Sequence, residues 1–582
     1  MNVEFDIASI PFSRFGSYTA FSYLQGETHA KTGLPEGIWL RCVHGDAAYE
    51  VMRIEMVDNG VPVSCRIVGG SAELSLLSKT GRVDICLPTE NTIRFRVTNA
   101  TLRFTARPFR NHCAIPESGG NWILTLARSF RSYRLVPLSG TFTMDAPWEI
   151  KHCKHIIAEL SATIGQTAEL AIEELTWMRP PQDHTVPFDT LTEDIQAQFE
   201  AFCKPFLSCP KSLRETAISA AYLDWSSVVH PHRLLTRPAM YMSKNWMTNV
   251  WAWDHAFNAL AVCLSDPDLA WDQLMVIFDH QDETGQIPDF INDVRFLTCF
   301  VKPPVHGWIL KRMIDYAGAL PPERLREAYH KLSLWTDWWF TYRDPEEDGL
   351  PVYWHGNDSG WDNGTVFDVP FPIKSADLSA FLVVQMDTLA LIADTLERNK
   401  DAANWRQRAD RTLKALIDTL WDGKKFRSVS TVTGQAALPS DSVFGCLPII
   451  LGKRLPDAIR TALITEIRRH VTEWGPATEH PDSPLYETHG YWRGPIWAPP
   501  TMILVDGLHA AGETELAHDI AERFCHLCAR SGFAENFDAI TGAPLCDPAY
   551  TWTSSVFLIL ANKFVSNVRK MGGERIATTL KE

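Results

Sequence analysis

The hydrophobic pattern of this 582-residue chain changes its period near residue 180. Before that point apolar residues alternate with polar ones, as in Ile93, Phe95 and Val97, and the alternation returns over residues 102–106. Successive side chains of a strand point to opposite faces, so this pattern predicts half-buried strands. Similar short runs bounded by turns favour an antiparallel arrangement. We therefore predict an N-terminal antiparallel β-sandwich domain over residues 1–180.

The remainder of the chain has a helical period. Residues 181–191 contain two prolines without periodicity and are predicted to be a linker. Within residues 192–582, Leu378, Leu382 and Met386 begin one run spaced by threes and fours, for which Ser375 is a candidate N-cap. We count about twelve such segments, without a 34- or 40-residue repeat. Twelve helices can close into a ring of inner and outer helices, an (α/α)6 toroid, although periodicity alone only permits this.

Charge and composition exclude several classes of partner. The net charge of -15 disfavours a nucleic-acid or anionic-membrane surface, since both require clustered Lys and Arg. No export signal begins the sequence, no 18 apolar residues run together, and thirteen scattered cysteines suit a reducing cytoplasm. The chain has no GxGxxG after a strand and no GxxxxGK[ST], so we predict no cofactor. Monomer and homo-oligomer both remain open.

Tryptophan is unusually frequent, and 17 of the 21 lie between Trp225 and Trp552. Large apolar faces with one N–H donor suit sugar rings, although most of these residues would serve equally as core filler. Five loops combine aromatics with acids, amides or guanidinium groups, the mixture expected around a bound sugar. These loops are VWAWDHAF (250–257), ETGQIPDF (283–290), HGNDSGWDNGTVFD (355–368), ETHGYWRGPIW (487–497) and GFAENFDAITG (532–542).

Three acidic residues of these loops are candidates for glycosidic bond cleavage, which requires one acid and one carboxylate. They are Asp358, Asp362 and Glu535, which lie beside glycines and aromatics and not on charged helix faces. The apolar face of Trp361 could desolvate Asp362 and raise its pKa. Asp358 and Asp362 would equally suit Asx-turns or a calcium loop, although the EF-hand pattern is absent.

A cysteine pair, Cys525 and Cys528, has a spacing found in zinc sites. Zinc needs four ligands, and no second CxxC or HxxxH completes the set. We predict that both thiols pack in a helix and assign no metal ligands.

The ordered set WAWD, GQIPDF, KPPVHGW, DGLPVYWHGNDSGWDNG, YWRGPIWAPP and ENFDAITG resembles bacterial members of glycoside hydrolase family 63. The resemblance covers roughly residues 245–560 and implies an (α/α)6 toroid and an inverting, exo-acting α-glycosidase. It implies that Asp362 is the general acid and Glu535 the general base. The residues that match the family's sugar-binding loops are Trp253, Asp254, Gln286, Trp308, Tyr491, Trp492 and Arg493, and Trp361 completes the predicted set.

Departures from the family pattern put the substrate in doubt more than the chemistry. Asp358 stands where the family often has Glu, and Gly364 where Ser is common. Trehalases share the SGWD element, but their PGGRF and QWDYP segments are missing here. We expect a small α-glucoside or α-mannoside as substrate.

Three other functions remain open: a trehalase-like hydrolase, a sugar epimerase or lyase of the same architecture, and a non-catalytic carbohydrate-binding protein. An epimerase or lyase would use a His or Tyr base, and four histidines lie in or beside the loops. These are His255, His306, His355 and His489.

Overall fold

The N-terminal region consists of two antiparallel sheets. The structure is a computed structural model that describes residues 3–25, 33–46, 49–107, 109–127, 129 and 131–566. In order across the first sheet lie β1 (Thr19–Leu24), β2 (Gly37–Cys42), β3 (Tyr49–Asp58), β9 (Thr101–Ala106), β16 (Ile156–Ser161) and β13 (Thr141–Asp145), with β4 (Val61–Pro62) paired to β3. The second sheet runs β10 (Cys113–Pro116), β11 (Trp122–Leu126), β12 (Arg131–Ser139), β17 (Thr167–Leu175), β8 (Thr92–Thr98), β7 (Arg82–Thr89), β6 (Leu74–Leu77) and β5 (Arg66–Gly69). A small hairpin joins β14 (Trp148–Glu149) to β15 (His152–Cys153).

The core of this region lies between the two sheets. Phe104 of the first sheet and Phe95 of the second meet edge to face at 5.0 Å within one buried apolar cluster. The predicted alternation is confirmed. The turn at Asn99 connects β8 to β9, which lie in different sheets and do not form a hairpin. Arg94 is also buried, because its guanidinium donates to the carbonyls of His184 and Val186. The segment predicted as a linker therefore lies along the second sheet.

Twelve α-helices follow within the described part of the chain. They are α1 (Phe188–Cys203), α2 (Arg214–Ser227), α3 (Asp254–Val262), α4 (Pro267–Met275), α5 (His306–Ala317), α6 (Pro322–Tyr342), α7 (Ala376–Thr395), α8 (Asn399–Leu420), α9 (Asp457–His470), α10 (Ala498–Ala511), α11 (Thr514–Ser531) and α12 (Thr551–Leu560). Helix α1 begins at Phe188, inside the segment 181–191. Between α8 and α9, residues Val443–Arg454 form a 3-10 segment that contains Pro448 and a kink at Gly452.

Six of these elements contact one another in a closed cycle. Helix α3 packs on α5, α5 on α7, α7 on the segment Val443–Arg454, that segment on α10, α10 on α12, and α12 returns to α3. Further helices flank the cycle: α4 packs on α3, α8 on α7, α9 on the 3-10 segment, α11 on α10, and α2 on α12.

Burial differs between the two groups of helices. Every residue of α3 and α12 is buried, whereas α8 buries one stripe that includes Ala402, Trp405 and Ala409. A helix covered on all sides is apolar all round, and one covered on a single side is amphipathic. Helix α7 is long and apolar enough to cross a membrane, but 83% of its most apolar window is buried inside the protein. Ser375 precedes α7 as predicted, yet its hydroxyl donates to Asp377 instead of capping the helix.

Candidate active site

Five loops that carry the predicted site residues each precede an element of the closed cycle. Short antiparallel strand pairs stiffen them, among them Val250–Trp251 with Phe290–Ile291, Val352–Tyr353 with Ile373–Lys374, and Asn536–Phe537 with Pro544–Leu545. The loops thus reach the amino ends of α3, α5, α7, α10 and α12. Positioned side chains on loops above a rigid scaffold are typical of catalytic sites.

Asp362 lies in a tightly folded loop and its side chain is 40% exposed. Gly360, two residues earlier, has a φ of +74°, and a Cβ there would lie 2.5 Å from the Trp253 ring. The Nζ atom of Lys302 is 4.0 Å from the Asp362 carboxylate. Burial raises the pKa of Asp362, while the charges of Lys302 and His355 oppose this rise. The loop therefore presents an accessible carboxyl group beside a fixed cation.

Glu535 is buried, and its backbone is fixed by the neighbouring loop. Its N–H donates to the carbonyl of Asp547 at 2.8 Å, and the Tyr491 hydroxyl donates to its carboxylate at 3.0 Å. Tyr491 has a φ of +63°, a strained conformation that non-glycine residues adopt mostly where the surroundings enforce it. Burial raises the pKa of Glu535 to about 7, with smaller contributions from the charges of Asp547 and Asp362. The two predicted catalytic carboxyl groups are therefore close enough to interact electrostatically.

Asp254 adds a third carboxyl group to the site. It is the first residue of α3, it is buried, and the Tyr550 hydroxyl donates to it at 3.4 Å. Burial raises the pKa of Asp254 to about 8, and the charge of Lys302 acts in the opposite direction. At neutral pH this carboxyl is largely protonated and can donate a hydrogen bond.

Two further residues of the site were not singled out from the sequence. Lys302 donates to the carbonyl of Asn357 at 2.7 Å and lies 3.3 Å from the carboxylate of Asp289. Both Lys302 and Asp289 are buried, and both occur in loop motifs, KPPVHGW and GQIPDF, that the sequence analysis noted. Their presence in these motifs was the signal that the sequence offered. Their burial as a charged pair, which is rare in cores, is seen only in the structure.

Asp358 is a structural residue of the loop. Its carboxylate accepts hydrogen bonds from Arg343 at 2.8 Å, from the Trp354 N–H at 2.9 Å and from the Val301 N–H at 3.2 Å. It is 1% exposed, so both oxygens are committed to the protein. Asp358 therefore holds three chain segments together behind Asp362.

Under the site, the predicted Trp361 and Trp492 form a stacked column with Trp497, and the predicted Trp253 packs at its side. Trp492 stacks on Trp497 at 3.8 Å and on Trp361 at 4.9 Å, and Trp253 lies 6.3 Å from Trp492. All four are buried. The column supports the loops that carry Asp362 and Tyr491, and its faces are covered by protein.

Three other predicted substrate-binding residues are engaged elsewhere. Arg493 makes a bidentate pair with Asp368, with both distances 3.0 Å. The side-chain amide of Gln286 donates to the carbonyl of Thr298 at 2.8 Å. The indole N–H of Trp308 donates to Asp506 at 2.7 Å in the contact between α5 and α10. The structure thus does not bring these three side chains to Asp362 or Glu535 by any hydrogen bond or ion pair among the described residues.

The histidines that could serve an epimerase or lyase differ in accessibility. His255 and His306 are fully buried, and burial lowers both pKa values, that of His255 to about 4. His355 and His489 are exposed. A buried neutral imidazole without access to substrate cannot act as a base, so only the second pair is available for that chemistry.

Metal-ligating side chains come together outside this site. Among the described residues, His44, His232 and Asp293 lie within 4.8 Å of one another, but their carboxylate and imidazole groups are already hydrogen-bonded to each other and to Glu174. Cys525 and Cys528 are buried in α11, and burial raises the pKa of both thiols. Packing of these two cysteines, as predicted, accounts for their spacing.

Comparison with known proteins places this chain in a family. The family model of the mannosylglycerate hydrolase MGH1-like glycoside hydrolase domain matches residues 247–553, more than half of the chain. The chain belongs to this MGH1-like family. Its predicted membership of glycoside hydrolase family 63 is confirmed, and the chain is a glycoside hydrolase by descent.

Curated relatives of this MGH1-like chain align over about half of its length and most of theirs. The mannosylglycerate hydrolase of Rubrobacter radiotolerans is 24% identical over 404 residues, 53% of this chain and 89% of the relative. The glucosylglycerate hydrolase of Mycolicibacterium hassiacum is 21% identical over 415 residues, 53% of this chain and 91% of the relative.

The crystal structure of the family 63 mannosylglycerate hydrolase from Thermus thermophilus in complex with glucose has a TM-score of 0.51 and 23% identity. The match covers 58% of this chain and 98% of that one. This likeness concerns the fold.

Proposed function

We propose that this chain is an inverting, exo-acting α-glycosidase that hydrolyses a small α-glucoside or α-mannoside, with Asp362 as general acid and Glu535 as general base. The observation that carries the proposal is the pairing of an accessible carboxyl beside Lys302 with a buried carboxyl held by Tyr491. Glycoside hydrolysis requires two carboxyl groups of this kind, one to protonate the leaving oxygen and one to activate water.

Asp362 would donate its proton to the glycosidic oxygen as the bond from the anomeric carbon to that oxygen breaks. Burial raises the pKa of Asp362 above its ordinary value, which is the direction that a general acid requires. When the proton has left, Lys302 at 4.0 Å stabilises the carboxylate that remains. The same cation thus favours the step from acid to carboxylate.

Glu535 would remove a proton from the water that attacks the anomeric carbon on the opposite face. Tyr491 donates to one oxygen of Glu535, and we assign the other oxygen to this water. A pKa of about 7 makes Glu535 an efficient base near neutral pH, since proton transfer is best matched when the pKa lies near the working pH. Attack from the opposite face converts an α-glycoside into a β-sugar.

The helical region is proposed to be an (α/α)6 toroid. Support comes from the closed cycle of six elements and from the flanking helices described above. Burial of the inner helices α3 and α12 on all sides, and of the outer helix α8 along one stripe, is what such a double ring requires.

The substrate class is supported by relatives named for hydrolysis of mannosylglycerate and glucosylglycerate. Asp254, with its raised pKa, would donate a hydrogen bond to a hydroxyl of the sugar. We also propose a cytoplasmic location, which the thirteen cysteines scattered along the chain support.

The proposal is tested by following, with proton NMR, the anomer of the sugar released from a panel of unlabelled α-glycosides. The panel contains mannosylglycerate, glucosylglycerate, kojibiose, nigerose, sucrose and trehalose. Early release of a β-anomer from one of them is the expected result. Early release of the α-anomer would contradict the role of Glu535, since a retaining enzyme uses its second carboxylate as nucleophile. A product of unchanged mass would indicate an epimerase, and an absorbing double bond a lyase.

Variants of the two carboxyl groups test their roles. Asp362→Asn and Glu535→Gln should each abolish turnover while sugar binding, measured by calorimetry, is retained. Unchanged turnover in either variant would remove that residue from the mechanism.

A further inference from the structure

A buried arginine of the N-terminal sheets contacts a segment beside the catalytic loops. Arg41, on β2, is fully buried, and its guanidinium donates to the carbonyl of Asn245 at 2.5 Å. The same group lies over the Trp246 ring, 4.2 Å from its centroid. Burial lowers the pKa of Arg41 to about 10, and the charges of Glu50 and Asp547 oppose this effect. A cation of the β region therefore sits close to a carboxylate of the catalytic loops.

Asn245 connects this arginine to Asp547. Its side-chain amide donates to the Asp547 carboxylate at 3.2 Å and to the carbonyl of Ser9 at 3.1 Å. The Asp547 carboxylate also accepts the N–H of Ala549 at 3.0 Å. The position of the Asp547 side chain is thus fixed from both regions of the molecule.

Asp547 in turn contacts Glu535 directly. Its carbonyl accepts the Glu535 N–H at 2.8 Å, so any movement of one residue moves the other. The negative charge of Asp547 raises the pKa of Glu535, and the Tyr491 hydrogen bond lowers it. Other titratable groups that act on this region are Asp362, Asp254, Tyr491 and Tyr550. Asp547 is tied by a hydrogen bond to Asn245, whose carbonyl accepts from Arg41 of the β region.

We propose that Arg41 and Asp547 are positioning residues for the catalytic base: the β region, through Arg41 and Asn245, fixes Asp547, whose backbone carbonyl holds the Glu535 backbone and whose carboxylate charge acts on the Glu535 carboxyl group. This inference rests on the proposed function. It gives the N-terminal sheets, which lie outside the span matched by the family model, a role in the site. Neither residue needs to touch the substrate.

Opposite shifts of the Glu535 pKa provide the test. Asp547→Asn keeps the side-chain shape and removes the negative charge, so we expect a fall of about one pH unit, the size typical of one nearby charge. Arg41→Met leaves the Asp547 charge less compensated, so we expect a smaller rise. Arg41→Lys, which keeps the charge, should remain close to the native value, and Arg41→Met should have little effect in the Asp547→Asn background.

Two readouts separate this inference from the proposed function. The first is the acidic limb of kcat/KM against pH, and the second is an infrared titration of the protonated carboxyl band that Glu535→Gln removes. If the native protein hydrolyses no glycoside, the proposed function fails, and the infrared midpoints still decide the role of Arg41 and Asp547. Arg103→Met is a control, since Arg103 on β9 pairs with Glu159 within the sheets and should leave both readouts unchanged.

Three outcomes would overturn the inference. Midpoints that stay unchanged in Arg41→Met and Asp547→Asn would show that neither residue sets the protonation of Glu535. An equal shift from Arg41→Met with and without the Asp547 charge would show that Arg41 acts by another route. A loss of kcat that is the same for Met and Lys at position 41, with no midpoint shift, would indicate a purely structural role.

Discussion

Replacement of Tyr491 by Phe should move the pH dependence of catalysis in a calculable way. The change removes the hydroxyl that donates to Glu535 at 3.0 Å and leaves the ring in place. A hydrogen bond to a charged group contributes about 1.5–3 kcal/mol. At roughly 1.4 kcal/mol per pKa unit, its loss raises the pKa of Glu535 by about one to two units. The native value of about 7 would become roughly 8 to 9.

Glu535, the proposed base, must be ionised to act, so the acidic limb of kcat/KM should move to higher pH. For a shift of about 1.5 units, the ionised fraction of Glu535 at pH 6 falls about 30-fold, while at pH 9.5 it is nearly unchanged. The assay is kcat/KM between pH 5 and pH 10 on whichever glycoside the panel identifies. A uniform loss of activity at all pH values would refute the reasoning, since it would mean that Tyr491 does not govern the protonation of Glu535.

Tyr486→Phe is the matched control. Tyr486 lies in the same loop region, and its buried hydroxyl has no hydrogen-bond partner among the described residues. Removal of that hydroxyl should leave the acidic limb in place.

Three further variants test other parts of the site and core. Asp358→Asn should lower the free energy of unfolding in urea by about 3 kcal/mol, because it leaves Arg343 as a buried cation with a weakened partner, and Arg343→Met should partly restore it. Gly360→Ala should lower kcat by more than the accompanying fall in melting temperature explains. The added Cβ would clash with the Trp253 ring, and the residue has a φ of +74°. Burial raises the pKa of Asp224 from 3.8, its ordinary value, to about 8 in the folded protein, so between these pH values the native state holds one proton more than the unfolded state. The stability of the native protein therefore falls as pH rises from about 4 to 8. The melting temperature of Asp224→Asn, measured relative to that of the native protein, should increase over that window.

Much of the architecture follows from the period of the sequence. Alternation of apolar residues predicted strands such as β8 and β9, and spacing by threes and fours predicted α7 and α8. The pattern does not specify which strands pair, because two strands joined by a short turn can lie in one sheet or in two. The strands joined by the turn at Asn99, β8 and β9, lie in two different sheets.

Prediction of the site was limited by the direction of individual side chains. Asp362 and Glu535 were predicted because they lie in glycine-rich motifs that resemble a family. Trp308 belongs to an equally clear motif, but its indole faces α10 and is used in packing there. Arg41 could not be found at all, since its relation to Asn245 spans about 200 residues and exists only after the β region has docked.

The closed cycle of helices has a consequence for synthesis of the protein. Asp254 receives a hydrogen bond from Tyr550, and Asn258 contacts Thr551 and Ser555, so the start of the ring is completed by its last helix. Contacts across nearly 300 residues form late, because a long loop must be closed before they contribute. While the ribosome is still translating α12, the carboxyl groups at the start of the ring stand without their final neighbours. The nascent chain is therefore expected to gain its hydrolytic site only after α12 has left the exit tunnel.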